Sequence, residues 1–228
     1  MLGRRTLCCL VLCSMAMPAQ EAGRGKGQKA IGSLESYLNM ASSQTARDFR
    51  PLTQRERNSL YLKSLINPWG YLKAAASGAL DQNHNKPAEW GQGWGAYGER
   101  CANILGQYTV QRTTNYALSA MLHEDNRYFA SGKKGLWPRT GYAVASSVMG
   151  RHDNGKLYIS VSQLGGVAAG AFAARLWLPA SQNSAGDAAV SFAITLGSNA
   201  GFSVMKEFLP DVLRRLAPRK TTTTDPKH

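Results

Sequence analysis

The richest grouping of chemistry-bearing side chains in this sequence is the run "HEDNRYF", in which His123, Glu124 and Asp125 stand in a row ahead of Arg127, Tyr128 and Phe129. An imidazole beside two carboxylates could ligate a divalent metal, or serve as acid and base in a hydrolysis. Both tasks need the side chains to converge on one point. Successive residues of a helix point ~100° apart, so three adjacent ones diverge. A zinc helix of the H-E-x-x-H type would need a second histidine where the chain has Arg127. A hydrolase or metal enzyme using His123 with Glu124 or Asp125 is therefore the alternative reading, and it requires a partner such as His84 or His152 from elsewhere. The preferred reading makes the run the polar end of a helix. Leu122 closes an apolar stripe, Arg127 pairs with an acid, and Tyr128 and Phe129 pack back onto the fold. On this reading no catalytic, cofactor-binding or metal-ligating residue is assigned, and no cofactor is expected.

Other matches to chemical motifs are weaker. Ser203-x-x-Lys206 has the nucleophile-and-base spacing of penicillin-interacting enzymes, but their companion motifs are missing. "GQGWGAYG" mimics a dinucleotide-binding loop with no strand before it. There is no G-x-S-x-G, no P-loop and no paired-cysteine metal signature.

The elements that would hold "HEDNRYF" read as helices. Trp90, Trp94, Tyr97, Cys101, Ile104 and Tyr108 recur at helical spacing, which predicts one long helix over about 88–122. A second stripe, Gly91, Gly95, Gly98 and Gly106, runs beside them. Glycine costs a helix interior roughly 1 kcal/mol per residue relative to alanine. The stripe is therefore expected to be a packing surface for close helix approach, with Gly95→Leu or Gly98→Leu destabilising. Such small-residue faces could also meet a protein partner.

Around this helix, Thr53-x-x-Glu56 is a capping box, and Asn67-Pro68 ends one helix and starts the next. Pro138 is expected to open a short helix to Gly150. Ser162 is expected to cap a helix over 163–178, and Asp187 another that Pro210 breaks. "LYISV" alternates like a strand, but with no partner in view it is expected to be an extended loop. The fold class is all-α, a helical bundle packed around the 88–122 helix, with disordered termini. The predicted organisation is a signal peptide (1–19), a flexible lead-in (20–32), a single helical domain (33–216) and a disordered tail (217–228).

The leader reading rests on Arg4 and Arg5, the apolar run from Leu7 to Leu12, and small residues after it. It would remove Cys8, Cys9 and Cys13 and leave Cys101 alone, so no internal disulfide is expected. Without Arg4 and Arg5, 25 basic residues face 14 acids, a net charge of about +11. For an exported protein this favours anionic lipid or another envelope polyanion as partner over nucleic acid. The expected location is the periplasm or the outer membrane's surface. An integral membrane protein, with 164–178 and 188–205 inserted, is the further alternative.

The run "LHEDNRYFASGKKGLWPRTGYAVA", then D-x-G-K at Asp153 to Lys156 and "KEFLPDV" near the end, resembles a family of uncharacterised exported proteins of acidobacteria-like bacteria. The likeness spans roughly 90–212. It implies that "HEDNRYF" is a hallmark of that family, and it carries over no catalytic residue.

Overall fold

The computed structural model describes residues 49–216. The predicted leader, lead-in and tail lie outside them, as do residues 33–48 of the predicted helical domain. The described chain is mostly helical with one small sheet.

Helix α1 (Gln54–Leu65) opens on the predicted capping box. The Thr53 hydroxyl accepts from the Glu56 N–H, and the Glu56 carboxylate accepts from the Thr53 N–H. Helix α2 (Pro68–Asn83) starts at its proline, where a missing N–H leaves nothing unsatisfied. The long helix α3 spans Trp94–Met121, and the expected start at 88 is a separate turn, Ala88–Trp90. The break has a backbone cause. Gly91 and Gly93 adopt φ of +69° and +104°, a left-handed region that ends helical winding. Buried Arg100 holds this loop against α3 by donating to the carbonyls of Lys86, Pro87 and Gly91.

Three short strands form an antiparallel sheet in the order β1 (Glu124–Asp125), β2 (Met149–His152), β3 (Leu157–Ile159). Glu124 faces His152 and Asp125 faces Arg151 across the first ladder. The 157–159 segment is thus a strand, and the expected extended loop is corrected. Its partner β2 turns back through Asn154-Gly155, with Gly155 at φ +75°. "HED" is likewise not the polar tail of α3, because the chain leaves the helix at Leu122 and crosses into the sheet.

Helix α4 spans Leu136–Ala145 and α5 spans Val161–Ala173. Ser160, two residues before the expected Ser162, caps α5 by accepting from the Gln163 N–H. Helix α6 (Ala185–Leu216) opens with a reciprocal Ser184–Asp187 pair and continues through Pro210, which does not break it.

The close helix approach predicted for the α3 glycines occurs, but other glycines make it. Helix α5 lies along α3. A Cβ on Gly166 would sit 2.7 Å from the Gln111 carbonyl oxygen, and one on Gly170 would sit 2.8 Å from that of Gln107. Gly78 of α2 meets Cys101 of α3 in the same way, at 2.8 Å. Gly95 and Gly98 face no described atom within 4 Å, and Gly106 is in ordinary contact with Trp177. Gly91 precedes the helix altogether. The receiving surface on α3 is built of Gln107, Gln111 and Asn115, so the approach is backbone to polar helix face.

This packing leaves an unusual interior. Buried apolar positions are mostly alanines, among them Ala74, Ala143, Ala174 and Ala188, with Phe129, Val167 and Leu178 as the larger members. Arg57, Arg100, Glu124, Asp125 and Glu207 are also buried, while Trp94, Trp137 and Leu176 are more than four-fifths exposed. Ala185–Val212 of α6 is long and apolar enough to cross a membrane by length and composition.

Candidate functional site

The "HEDNRYF" residues do not form one site. They are shared among three networks in which the buried carboxylates are matched, while Arg57 Nη2 and Arg151 Nε beside them are buried without a hydrogen-bond partner. Glu124 lies at the N-terminus of α5. Its carboxylate accepts from the Ser160 and Ser162 hydroxyls at 2.8 and 2.5 Å, and from the Val161 and Ser162 N–H groups at 3.1 and 2.9 Å. A negative charge there meets free N–H groups and the positive end of the helix dipole. Burial pushes the Glu124 carboxyl up, but the Ser162, Ser160 and Val161 donors outweigh it and hold the group below its ordinary 4.5. Arg57 reaches in from α1 and donates to the Ser119 and Glu124 carbonyls, tying α1 to the α3–β1 corner.

Asp125 is closed off by Arg127, whose Nε and Nη2 donate to its carboxylate at 2.9 and 2.6 Å. Tyr128 serves a different acid, Glu207 of α6, donating its hydroxyl at 2.5 Å. Glu207 also accepts from the Ser131 hydroxyl and N–H and from Arg139, at 2.5, 3.1 and 2.9 Å. Burial pushes this carboxyl up too, and the Ser131, Tyr128 and Arg139 donors bring it below the ordinary value. Phe129 is buried edge-on against Phe49, with the Arg151 guanidinium over its ring.

His123 does not join its neighbours. Its side chain is 71% exposed, and its Nδ1 lies 3.3 Å from the Asp153 carboxylate. Its φ of 55° is left-handed, a strained choice for a residue with a Cβ. Among the described residues, no three His, Cys, Asp or Glu side chains gather closely enough to hold a metal ion. His152 approaches Glu124 only to 3.9 Å.

A second region has the opposite character. Between α2, α3, α5 and α6 lies a cavity of about 210 Å³. Lys73 of α2, Arg112 of α3 and Lys206 of α6 all line it. Among the described residues, none of the three has a carboxylate within ion-pair distance. Arg112 lies over the Tyr108 ring at 4.9 Å, and Lys73 lies near the Phe202 ring at 5.9 Å. The Arg112 Nε is buried without a hydrogen-bond partner. Burial holds the Lys73 and Lys206 ammonium groups below their ordinary 10.5, and the charge on Arg112 pushes both further down.

Part of the remaining lining is polar and uncommitted. The side chains of Gln111, Asn115, Asn199 and Ser203 border the cavity and make no hydrogen bond to another described residue. Tyr128 and Asn126, which belong to the matched networks, form the wall nearest the sheet. Ser203 and Lys206, the pair with nucleophile-and-base spacing, thus share a cavity, but no hydrogen bond joins them as a working dyad would require.

Scanned against protein-family models, curated proteins and solved structures, the chain matches none of them. The cavity is read from its own chemistry. Sequence reasoning passed over Lys73, Arg112 and Lys206 because each is a single cation, far from the other two in the chain. A signal was nonetheless present. Lys73 is the one charge between Pro68 and Leu80, and Lys206 ends a charge-free run from Ala188 to Met205. Arg112 sits in the polar run "QRTTN" in the middle of the long helix.

Proposed function

We propose that this protein binds an anionic ligand in the cavity between α2, α3, α5 and α6, and that it does so in the cell envelope without catalysing a reaction. The observation that carries the reading is the trio Lys73, Arg112 and Lys206 around one cavity, with no described carboxylate to neutralise them. All three are half-buried, and partly desolvated cations without partners cost stability, so a fold that keeps three around one cavity is holding a place for negative charge. The acids best placed to help, Asp125 and Glu207, are fully engaged by Arg127, Tyr128, Ser131 and Arg139. The same engagement supports a binding role over a hydrolytic one, since a buried carboxylate with all its acceptor sites occupied is poorly placed to move protons.

The test is thermal melting of the protein in sodium phosphate and in sodium chloride at matched ionic strength, for the wild type and Arg112→Gln. A bound anion stabilises the wild type by RT ln(1 + [L]/Kd), about 2.7 kcal/mol at a hundredfold excess over Kd, or several degrees for a domain of this size. Phosphate also stabilises proteins generally by exclusion from their surfaces, so the decisive quantity is the part lost in Arg112→Gln. Equal phosphate effects in both proteins would refute the reading.

A second reading is favoured by the outer face of α6. Ala189, Val190, Ala193, Ile194, Gly197, Gly201 and Met205 are all exposed there, and none carries a charge. On this reading the apolar face and the basic surplus together seat the bundle on an anionic membrane. Vesicle retention that weakens as salt shortens the Debye length would support peripheral seating, and retention indifferent to salt would support insertion.

A further inference from the structure

We infer that the ligand of the Lys73–Arg112–Lys206 cavity is a phosphate monoester on a hydroxyl-rich body, a phosphorylated sugar or polyol. The inference rests on the anion-binding reading above and narrows its chemistry. Charge is the first argument. A phosphate monoester carries about −1.5 to −2 near neutral pH on one compact group, a closer match to three cations than a single carboxylate. Lys73, Arg112 and Lys206 all border this one cavity, so their positive charge faces a single shared space. That arrangement suits one multiply charged head better than a dicarboxylate whose charges are spread apart. Arg112 lines the cavity, and its guanidinium is the planar fork that pairs with phosphate oxygens.

Size and lining supply the second argument. A cavity of about 210 Å³ exceeds the ~150 Å³ that accommodates a benzene ring, so it has room for more than a bare phosphate. The remaining space is bordered by the amides of Gln111, Asn115 and Asn199 and the hydroxyl of Ser203, none bonded to another described residue. Amides offer both donors and acceptors, and a hydroxyl group on a ligand needs both. An apolar tail would leave these groups unsatisfied, at the cost of burying unmatched polar atoms. A sugar or polyol would match them. Tyr108 and Phe202 add ring carbons to the lining, against which the CH groups of a sugar can pack.

The test is calorimetric titration of the protein with glucose 1-phosphate, inorganic phosphate, glucose and citrate, in the wild type and Asn199→Ala. A parallel arm measures retention on phosphatidylcholine vesicles doped with lipid A, a phosphorylated sugar lipid, or with phosphatidylglycerol. Glucose 1-phosphate is expected to bind about tenfold or more tightly than phosphate, as one or two added hydrogen bonds would give. Asn199→Ala should erase that margin while phosphate still binds. Retention on lipid A vesicles alone, without a response to glucose 1-phosphate, would also support the inference and assign the phosphosugar to a lipid headgroup. Equal affinity for phosphate and glucose 1-phosphate, or tighter binding of citrate, overturns the inference and leaves the anion-binding reading standing. Equal retention on phosphatidylglycerol vesicles with no response to any soluble anion overturns both.

Discussion

The sheet corner around Glu124 and Asp125 and the cavity around Arg112 are neighbours, and they treat charge in opposite ways. At the corner, buried carboxylates meet serine hydroxyls, helix N–H groups and Arg127 until their acceptor sites are used. In the cavity, three cations and a set of amides face open space with no described acid among them. The first arrangement is what a fold does with polar groups it needs for shape. The second is what it leaves for something else to complete. Asn126 and Tyr128 join the two regions, since they line the cavity while bonded to Ser162 and Glu207 of the matched networks. The corner thus acts as the rigid wall against which the cavity is held.

The sharpest way to break this contrast is to remove the charge at the corner. Glu124→Ala would strand two serine hydroxyls and the α5 N–H groups, and should destabilise by roughly 3–5 kcal/mol, read from denaturant midpoints. A change under about 1 kcal/mol would show that the corner is not a keystone. Phe129→Ala, which empties a buried ring site beside it, is expected to fall in a similar range.

Next in size are the glycines. Gly166→Ala and Gly170→Ala each place a methyl group under 3 Å from an α3 carbonyl oxygen and should cost about 1–3 kcal/mol. Gly95→Ala and Gly98→Ala, with open space at the Cβ, should be neutral or stabilising by up to ~1 kcal/mol through helix propensity. The reverse ranking in thermal melts would restore the α3 stripe as the packing surface.

Acid should act on the corner before the cavity. Glu124 and Glu207 both have folded pKa values below the ordinary 4.5, so the folded state favours their charged forms. Their contribution is fully present above the unfolded value and lost as pH falls from about 4.5 through the lowered folded values. Stability measured from pH 7 downward should therefore drop in that window, and less so in Glu207→Gln. An unchanged acid limb in that variant would contradict the assignment.

The smallest effect is expected at His123, where the notion of an active site began. Its imidazole is mostly exposed and its backbone is left-handed, so His123→Gly should be neutral or stabilising by up to ~1 kcal/mol. A loss of more than 1 kcal/mol on melting would mean that the Asp153 contact matters more than its exposure allows.

Much of this fold could be read from local chemistry. The Thr53–Glu56 box and Pro68 at a first helical position are signals carried by a few adjacent residues, and they stand as expected. The apolar spacing gave the long helix α3, but Trp90 falls in the turn before it and Trp94 is exposed. The sheet was hidden because β1 is only Glu124–Asp125, too short to show alternation, and Glu124 is held by partners thirty-odd residues away. Arg127 pairing with an acid and Phe129 packing inward were legible, while the depth of Glu124 and Asp125 was not. The cavity was least legible of all. Its cations come from three helices, and nothing in the neighbourhood of Lys73, Arg112 or Lys206 in the chain indicates that the other two are close.

The central claim, that the cavity holds cations kept unpaired for a ligand, is tested most directly by Lys206→Met in the absence of added anion. Methionine keeps most of the volume and removes one of the three positive charges that line the cavity. The account predicts a higher melting temperature for the variant than for the wild type, by an amount on the order of 1 kcal/mol, in low-salt chloride. A lower melting temperature would mean that Lys206 already has its partner in the folded chain, and would contradict the account.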